Sequence, residues 1–226
     1  MIGKFIVIEG IDGSGKATQT ELLKKYLNGK GIKVKTDDYP RYETSAWGKL
    51  VGRMLMGEFG NPLEISPYLS ALPYMVDEYF GGLEIKEWIK DGYCVISNRY
   101  FTSNVHGVAK LKGKKQKEFR NWLWDTGWNH AKIYKPDLVI VLLAPPKVCR
   151  ELILKKEKRN YTKGKKRDIV ESNIKHQQLS AKEYKRMIKE DKTWVEVSCC
   201  DKKGKLLSPE EINQKVLKIV VKLLHG

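Results

Sequence analysis

A glycine-rich turn that ends in lysine is the segment of this sequence whose residue types point most directly to chemistry. Residues 10–16 read Gly-Ile-Asp-Gly-Ser-Gly-Lys and directly follow a short apolar run at residues 4–9. Glycines allow backbone N–H groups to turn toward phosphate oxygens, the lysine adds a positive charge, and a helix that begins here adds the positive end of its dipole. The order of strand, turn, lysine and helix predicts a site for the phosphates of a nucleoside triphosphate. A flexible glycine turn after a buried strand is the alternative interpretation.

The position after Lys16 departs from the usual phosphate-binding pattern. Serine or threonine usually stands there and often contacts a metal ion, but this chain has Ala17, with Thr18 one residue later. The candidate triphosphate-binding residues are Gly10, Gly13, Ser14, Gly15, Lys16, Ala17 and Thr18.

A strongly basic segment lies between residues 155 and 167, where eight of thirteen residues are lysine or arginine and Glu157 is the single acid. Three interpretations are open: a solvated surface, a contact with nucleic acid, or a lid that closes over phosphates. Nucleic-acid contacts usually interleave aromatic residues with such charges, and here only Tyr161 is aromatic. Beside a phosphate-binding loop, the segment is better interpreted as a lid, which we place at residues 155–168.

The length and charge of the chain limit the class of protein. At 226 residues it accommodates one α/β domain with a substantial core, so residues 1–226 are expected to form a single domain. Lysine and arginine exceed aspartate and glutamate by 43 to 27, a net charge of +16 that favours polyanionic partners. No apolar run resembles a signal sequence or approaches the roughly 20 residues of a membrane span, so we expect a soluble, cytoplasmic protein without a membrane partner.

The four cysteines predict neither a structural zinc site nor a disulfide framework, because they lack Cys-x-x-Cys spacing and clustered histidines. Cys199 and Cys200 are adjacent at the end of an apolar run. We interpret them as ordinary buried thiols rather than as a redox switch.

Five apolar runs bounded by polar turns predict the strands, at residues 4–9, 32–36, 93–97, 138–143 and 194–198. Helical patterns lie between them, and two of these, at residues 67–80 and 82–90, are predicted as separate helices. Alternating strands and helices are typical of a parallel sheet covered on both faces. The predicted fold is therefore a three-layer α/β/α domain with a five-stranded parallel sheet, of the P-loop NTP hydrolase-like kind.

The segment after the third predicted strand, residues 98–104, reads Asn-Arg-Tyr-Phe-Thr-Ser-Asn. With the loop Glu-Gly-Ile-Asp-Gly-Ser-Gly-Lys at residues 9–16, it resembles the thymidylate kinase family, whose third strand ends in Asp-Arg-Tyr or a close variant followed by Ser-Asn or Ser-Gly. Further matches are Tyr-Pro-Arg-Tyr at 39–42, Gly-Glu-Phe-Gly at 57–60 and Lys-Pro-Asp-Leu at 135–138. The resemblance implies transfer of a phosphoryl group from ATP to dTMP, giving dTDP and ADP, with Mg²⁺ as cofactor and a homodimer as the assembly.

The resemblance also assigns roles to single residues. It implies that the glycine loop binds ATP, that Lys16 is catalytic and that Arg99 holds the acceptor phosphate in line with the donor. Because the loop has no arginine of its own, catalytic guanidinium groups are expected from the lid, with Arg159 and Arg167 as candidates. The residues implied to bind dTMP are Asp12, Tyr39, Tyr42, Tyr74, Arg99, Ser103, Asn104 and Tyr184, and the candidate metal-binding residues are Asp12 and, indirectly, Asn98.

Three positions depart from the family pattern in ways that bear on function. Asn98 replaces the aspartate expected before Arg99, which removes a negative charge near the magnesium. Glu78 stands where the family commonly has an arginine that donates to a thymine carbonyl, and an ionised carboxylate cannot donate that bond. The segment 104–107 is one residue shorter than in many members, which leaves His106 near the sugar 2′ position.

These departures leave two other functions open. One is a kinase of the same fold that acts on another nucleoside monophosphate, because Glu78 would suit a base that presents N–H donors. The other is a nucleotide-binding relative without catalysis.

Overall fold

Five parallel strands form one sheet in the computed structural model, which describes residues 3–155 and 173–225. The spatial order of the strands is β2, β3, β1, β4, β5, with every neighbouring pair parallel. The strands are β1 (Lys4–Glu9), β2 (Val34–Asp38), β3 (Cys94–Asn98), β4 (Leu138–Leu143) and β5 (Trp194–Ser198). The predicted three-layer α/β/α fold with a five-stranded parallel sheet is confirmed.

Helices cover both faces of this sheet. They are α1 (Lys16–Gly29), α2 (Ala46–Leu55), α3 (Pro67–Lys90), α4 (Val105–Val108), α5 (Gly113–Asp125), α6 (Pro146–Lys155), α7 (Ile174–Glu190) and α8 (Pro209–His225). A 3₁₀ turn at Phe101–Asn104 precedes α4, and a π-helical turn at Thr126–His130 extends α5. Over the described residues, no helix has the length and apolar character required to span a bilayer.

The prediction of two helices at residues 67–80 and 82–90 was wrong, because α3 continues through both segments. Two glycines lie at the boundary between the predicted segments, and in the structure they have a packing role. A Cβ at Gly81 would collide with the phenol of Tyr39, and a Cβ at Gly82 would lie 2.6 Å from the hydroxyl oxygen of Tyr100. The glycines therefore let two tyrosine rings approach the helix closely without interrupting it.

The central strand β1 separates two apolar cores, as expected for a buried parallel strand. Phe5 and Val7 belong to the core on the side of α3, α5 and α7. Ile6 and Ile8 belong to the core on the side of α1 and α8. Because β1 is buried on both faces, its direction and the position of its carboxyl end are fixed by packing on each side.

The register between β1 and β3 determines where the site forms. Ile8 pairs with Asn98, and the backbone N–H of Arg99 donates to the carbonyl of Ile8 at 3.0 Å. The glycine loop follows β1 and the segment 99–104 follows β3 at the same edge of the sheet. Adjacent parallel strands thus bring the two motifs together, which is where open α/β sheets bind ligands.

Candidate active site

The glycine loop joins β1 to α1 and is shaped by residues with positive φ. Gly13 has φ 82° and Gly15, the residue before α1, has φ 94°. A side chain at Gly13 would also collide with the backbone carbonyl of Cys149. Gly15 is therefore favoured for its backbone conformation, and Gly13 is favoured both for its conformation and because a side chain would not fit. The loop ends at the N-terminus of a helix, where backbone N–H groups lack intrahelical partners.

Lys16 begins α1, and its ammonium group lies against the glycine loop. Its Nζ donates to the carbonyl oxygens of Gly10 and Ile11, each at 3.1 Å. Ala17 and Thr18 are exposed in the first turn of α1. The loop thus places a positive charge beside a helix N-terminus, an arrangement that binds phosphate.

Arg99 lies beside this loop at the end of β3. Its φ of 66° is unusual for a residue other than glycine and bends the chain away from the strand. The guanidinium forms an ion pair with Asp12 of the glycine loop and donates to Ser103 Oγ at 3.2 Å. Burial alone would lower the pKa of Arg99, but Asp12 and Tyr184 raise it well above its ordinary value, so the guanidinium stays charged.

Asp12 faces the two cations of the site. Gln177 of α7 donates from Nε2 to Asp12 Oδ2 at 2.8 Å and accepts the backbone N–H of Asp12 at 3.3 Å. Burial raises the pKa of Asp12, but Arg99 and Lys16 act more strongly together and lower it well below its ordinary value. The carboxylate is therefore ionised and tied to the arginine that would have to move toward a phosphate.

A buried carboxyl group supports the segment behind Arg99. Glu9, the last residue of β1, accepts hydrogen bonds from Thr102 Oγ1 at 2.6 Å and from Ser103 Oγ at 2.8 Å and 2.9 Å. Tyr184 of α7 donates its hydroxyl to the same group at 2.6 Å. These bonds fix the 3₁₀ turn relative to the sheet.

An open cleft lies next to these groups, with about 880 Å³ of empty space including its mouth. It is lined by seven of the eight residues predicted to bind the acceptor: Asp12, Tyr39, Tyr42, Tyr74, Arg99, Ser103 and Asn104. The eighth, Tyr184, does not line the cleft and is fully buried behind it, on Glu9. Lys110 and His176 also line the cleft, and no sequence motif predicts a role for either residue.

His106 lies between the cleft and the Glu9 cluster. Its Nε2 is 3.3 Å from the Arg99 guanidinium and 3.4 Å from the Tyr184 hydroxyl. Burial and the charge of Arg99 lower the pKa of His106 well below its ordinary value. The imidazole is therefore neutral, and it lines the cleft beside Ser103 and Asn104.

Asn98, the predicted indirect metal residue, ends β3 beside β2. Its Nδ2 donates to Asp38 Oδ1 at 2.9 Å, while its Oδ1 is buried and has no hydrogen-bond partner among residues 3–155 and 173–225. Amide and carboxylate oxygens are ligands that Mg²⁺ accepts, so the oxygens of Asn98 and Asp12 fit such an ion. The described part of the chain holds no group of three or more His, Cys, Asp or Glu residues arranged for a metal.

The lid prediction lies mostly outside the described residues. Arg159 and Arg167 both fall within residues 156–172, so no position is assigned to them.

A parallel sheet with a glycine-rich phosphate loop after its central strand defines the class of P-loop nucleoside triphosphate-binding folds. The solved structure of thymidylate kinase from Candida albicans has the same fold, with a TM-score of 0.72, 21% identity, and coverage of 97% of this chain and 92% of that one.

The amino-acid sequence of this chain is also similar to those of thymidylate kinases. The thymidylate kinase family profile matches residues 8–206. The chain is 36% identical over 152 residues to a probable thymidylate kinase of Thermococcus gammatolerans, covering 65% of this chain and 68% of the relative. It is 29% identical over 181 residues to thymidylate kinase of Mycobacterium tuberculosis H37Rv, covering 79% and 83%. The chain belongs to the thymidylate kinase family.

Proposed function

We propose that this protein transfers a phosphoryl group from ATP to dTMP, giving dTDP and ADP. The observation that carries this proposal is the position of Arg99, which borders both the glycine loop and the cleft in a member of the thymidylate kinase family. ATP would bind at the loop and dTMP in the cleft, so that the two phosphates meet beside Asp12. Phosphoryl transfer needs mainly such positioning and charge neutralisation.

Three side chains have distinct roles in this proposal. Lys16 and the backbone N–H groups of the loop bind the donor phosphates. The Arg99 guanidinium leaves part of its ion pair with Asp12 and binds the acceptor phosphate through two N–H groups, a geometry that lysine cannot provide. Tyr74, half-buried on the cleft wall, stacks on the base of the acceptor.

Mg²⁺ is part of the proposal as the cofactor. Asp12 and Asn98 would hold it, because the buried Oδ1 of Asn98 has no partner in the described part of the chain and Asp12 is ionised. When bound, the ion would neutralise charge on the transferring phosphates. The lid residues Arg159 and Arg167 are proposed to add guanidinium groups to the same phosphates.

We also propose that the protein is a homodimer in the cytoplasm. Helix α3 exposes four large apolar side chains, each by 46% or more: Leu69, Leu72, Phe80 and Leu83. Exposed apolar residues that share a helix favour contact with a partner surface. Light scattering coupled to gel filtration tests this assembly: a dimer mass supports it, and a monomer mass at micromolar concentration contradicts it.

A nucleotide panel tests the activity. Purified protein is incubated with ATP, Mg²⁺ and each of dTMP, dUMP, dGMP and dCMP, and the diphosphate products are separated by chromatography. We expect dTDP to form with the highest kcat/KM. Faster turnover of dGMP or dCMP would contradict the proposed substrate, and binding of ATP without any product would contradict catalysis.

A matched pair of lysine variants serves as the control. Lys16→Met removes the positive charge at the loop. We expect it to lower kcat by at least about a hundredfold, because the lysine charge stabilises the transferring phosphates. Lys25→Met changes an exposed lysine of the same helix and should leave kcat unchanged. Equal activity of the two variants would contradict the role of the loop.

A further inference from the structure

Glu78 is a buried carboxyl group in the wall of the cleft. It lies on α3, is only 2% exposed and lines the cleft together with Tyr74. Residues four apart on a helix share a face, so Glu78 lies one turn from the ring proposed to stack on the base. A base lying against Tyr74 would therefore present an edge toward Glu78.

Asn104 supplies hydrogen bonds to this carboxyl group. Asn104 Nδ2 lies 3.2 Å and 3.5 Å from its two oxygens, and the same amide group donates to the Phe101 carbonyl at 3.0 Å. The nearby Tyr100 hydroxyl donates to the backbone carbonyl of Glu78, not to its carboxyl group. Among the described residues, no lysine or arginine forms an ion pair with Glu78 within 4 Å.

The charged groups around Glu78 disfavour its ionisation. Burial raises the pKa of Glu78 well above its ordinary value, and the negative charges of Asp77 on α3 and Glu9 on β1 raise it further. The hydrogen bond from Asn104 acts in the opposite direction but does not offset burial. The cations that line the same cleft, Arg99 and Lys110, bind Asp12 and the segment around Pro62 instead.

A neutral carboxylic acid has the donor and acceptor pattern that the edge of thymine needs. Its O–H donates and its carbonyl oxygen accepts, whereas an ionised carboxylate only accepts. Thymine presents the acceptor O4 next to the donor N3–H, so a neutral acid can form two parallel hydrogen bonds with it. A carboxylate would place negative charge against O4 and would suit a base with two adjacent donors, such as guanine.

We propose that Glu78, as a neutral carboxylic acid, recognises the base of the acceptor by donating a hydrogen bond to thymine O4 and accepting one from N3–H. This inference rests on the proposed function and identifies a residue that determines its base specificity. It also accounts for the glutamate at a position where the family commonly has an arginine, since both groups donate to the same carbonyl oxygen.

The proposal predicts a specific dependence on pH. As pH rises through the pKa of Glu78, the donor to O4 is lost and the KM for dTMP should increase, while the KM for ATP should not change. Glu78→Gln keeps one donor and one acceptor at every pH, because a carboxamide does not titrate. Its KM for dTMP should therefore lack the increase at high pH that the ionisation of Glu78 causes in wild type.

The experiment measures KM for dTMP and for ATP between about pH 6 and about pH 9, a range in which buried glutamates can titrate. Four proteins are compared: wild type, Glu78→Gln, Glu78→Leu and Glu87→Gln, the last changing an exposed glutamate of the same helix. Glu78→Leu removes both hydrogen bonds and should raise the KM for dTMP about tenfold or more above that of wild type at the low end of this pH range. Glu87→Gln should follow the wild type.

Two results would overturn the inference: the same increase in the KM for dTMP with pH in Glu78→Gln as in wild type, or a KM in Glu78→Leu equal to that of wild type at the low end of the pH range. Calorimetric binding of dTMP to the same four proteins separates this inference from the proposed function. If dTMP is not phosphorylated but binds with the predicted pH dependence, the proposed function fails and the inference stands. If dTMP is phosphorylated and Glu78→Leu has no effect, only the inference fails.

Discussion

The ion pair between Arg41 and Asp77 is expected to be the strongest single support of the cleft wall. Arg41 Nε and backbone N–H both donate to the carboxyl group of Asp77, at 3.0 Å and 2.9 Å, and Nη2 donates to its backbone carbonyl at 3.1 Å. Nη1 also bonds Glu84 at 2.7 Å. These contacts attach the segment after β2, which carries Tyr39 and Tyr42, to α3.

The magnitude of the effect follows from burial. The Asp77 side chain is 1% exposed and that of Arg41 is 10% exposed. Removing one partner of a buried pair leaves the other charge without compensation, which typically destabilises by 3–5 kcal/mol. We expect Arg41→Met to lower the free energy of unfolding by about 3 kcal/mol, the lower end of that range, because the backbone N–H of residue 41 still donates to Asp77.

Urea denaturation followed by circular dichroism measures this change. A loss of about 3 kcal/mol shifts the midpoint by about 1 M or more at a typical slope for a protein of this size. Arg53→Met is the matched control, because Arg53 forms two similar bonds with Glu58, at 2.6 Å and 2.8 Å, on the exposed surface. Exposed pairs contribute little, so its midpoint should stay close to that of the wild type.

The comparison between the two variants can refute the reasoning. If Arg41→Met and Arg53→Met shift the midpoint equally, burial does not decide the strength of these pairs. The same variants also test the cleft: Arg41→Met should raise the KM for dTMP because the wall loses its attachment, and Arg53→Met should not.

Two further predictions concern buried polar groups near the cleft. Tyr184→Phe removes one hydrogen bond to Glu9 and should lower the free energy of unfolding by about 1.5–3 kcal/mol in urea titrations; a midpoint equal to that of the exposed control Tyr26→Phe would contradict this value. Burial lowers the pKa of Lys110 to about 8, so the unfolded chain binds this proton more tightly and the stability of wild type relative to Lys110→Met should rise with pH from about 8 upward. Urea midpoints at a series of pH values measure this difference, and a difference that is constant with pH would refute the assignment.

Local sequence patterns were sufficient to predict the sheet and the two motifs at its edge. The strands β1, β4 and β5 begin and end where their apolar runs do, because each run is bounded by polar residues. Strand β2 lies at the edge of the sheet, where only one side pairs, and its true extent, Val34–Asp38, is shifted by two residues from the predicted 32–36. No residue of β2 is fully buried, whereas β5, the other edge strand, buries Trp194 and Val197, so the hydrophobic pattern marks the ends of β2 poorly.

Other features depend on contacts between distant parts of the chain and could not be read from the sequence. The unbroken helix α3 requires the rings of Tyr39 and Tyr100 to pack on Gly81 and Gly82. The contact between Glu78 and Asn104 likewise joins residues from different elements. The sequence shows Glu78 as a departure from the family pattern, but its position in a buried, acidic part of the cleft depends on these long-range contacts.

The structure of a complex with dTMP and ADP tests the central claim most directly, because it reports the partners of Arg99 when the cleft is filled. The account predicts that two guanidinium nitrogens of Arg99 lie within about 3 Å of oxygens of the dTMP phosphate and that Lys16 Nζ contacts the phosphates of ADP. A dTMP phosphate bound away from Arg99, with the guanidinium still paired only with Asp12, would contradict it.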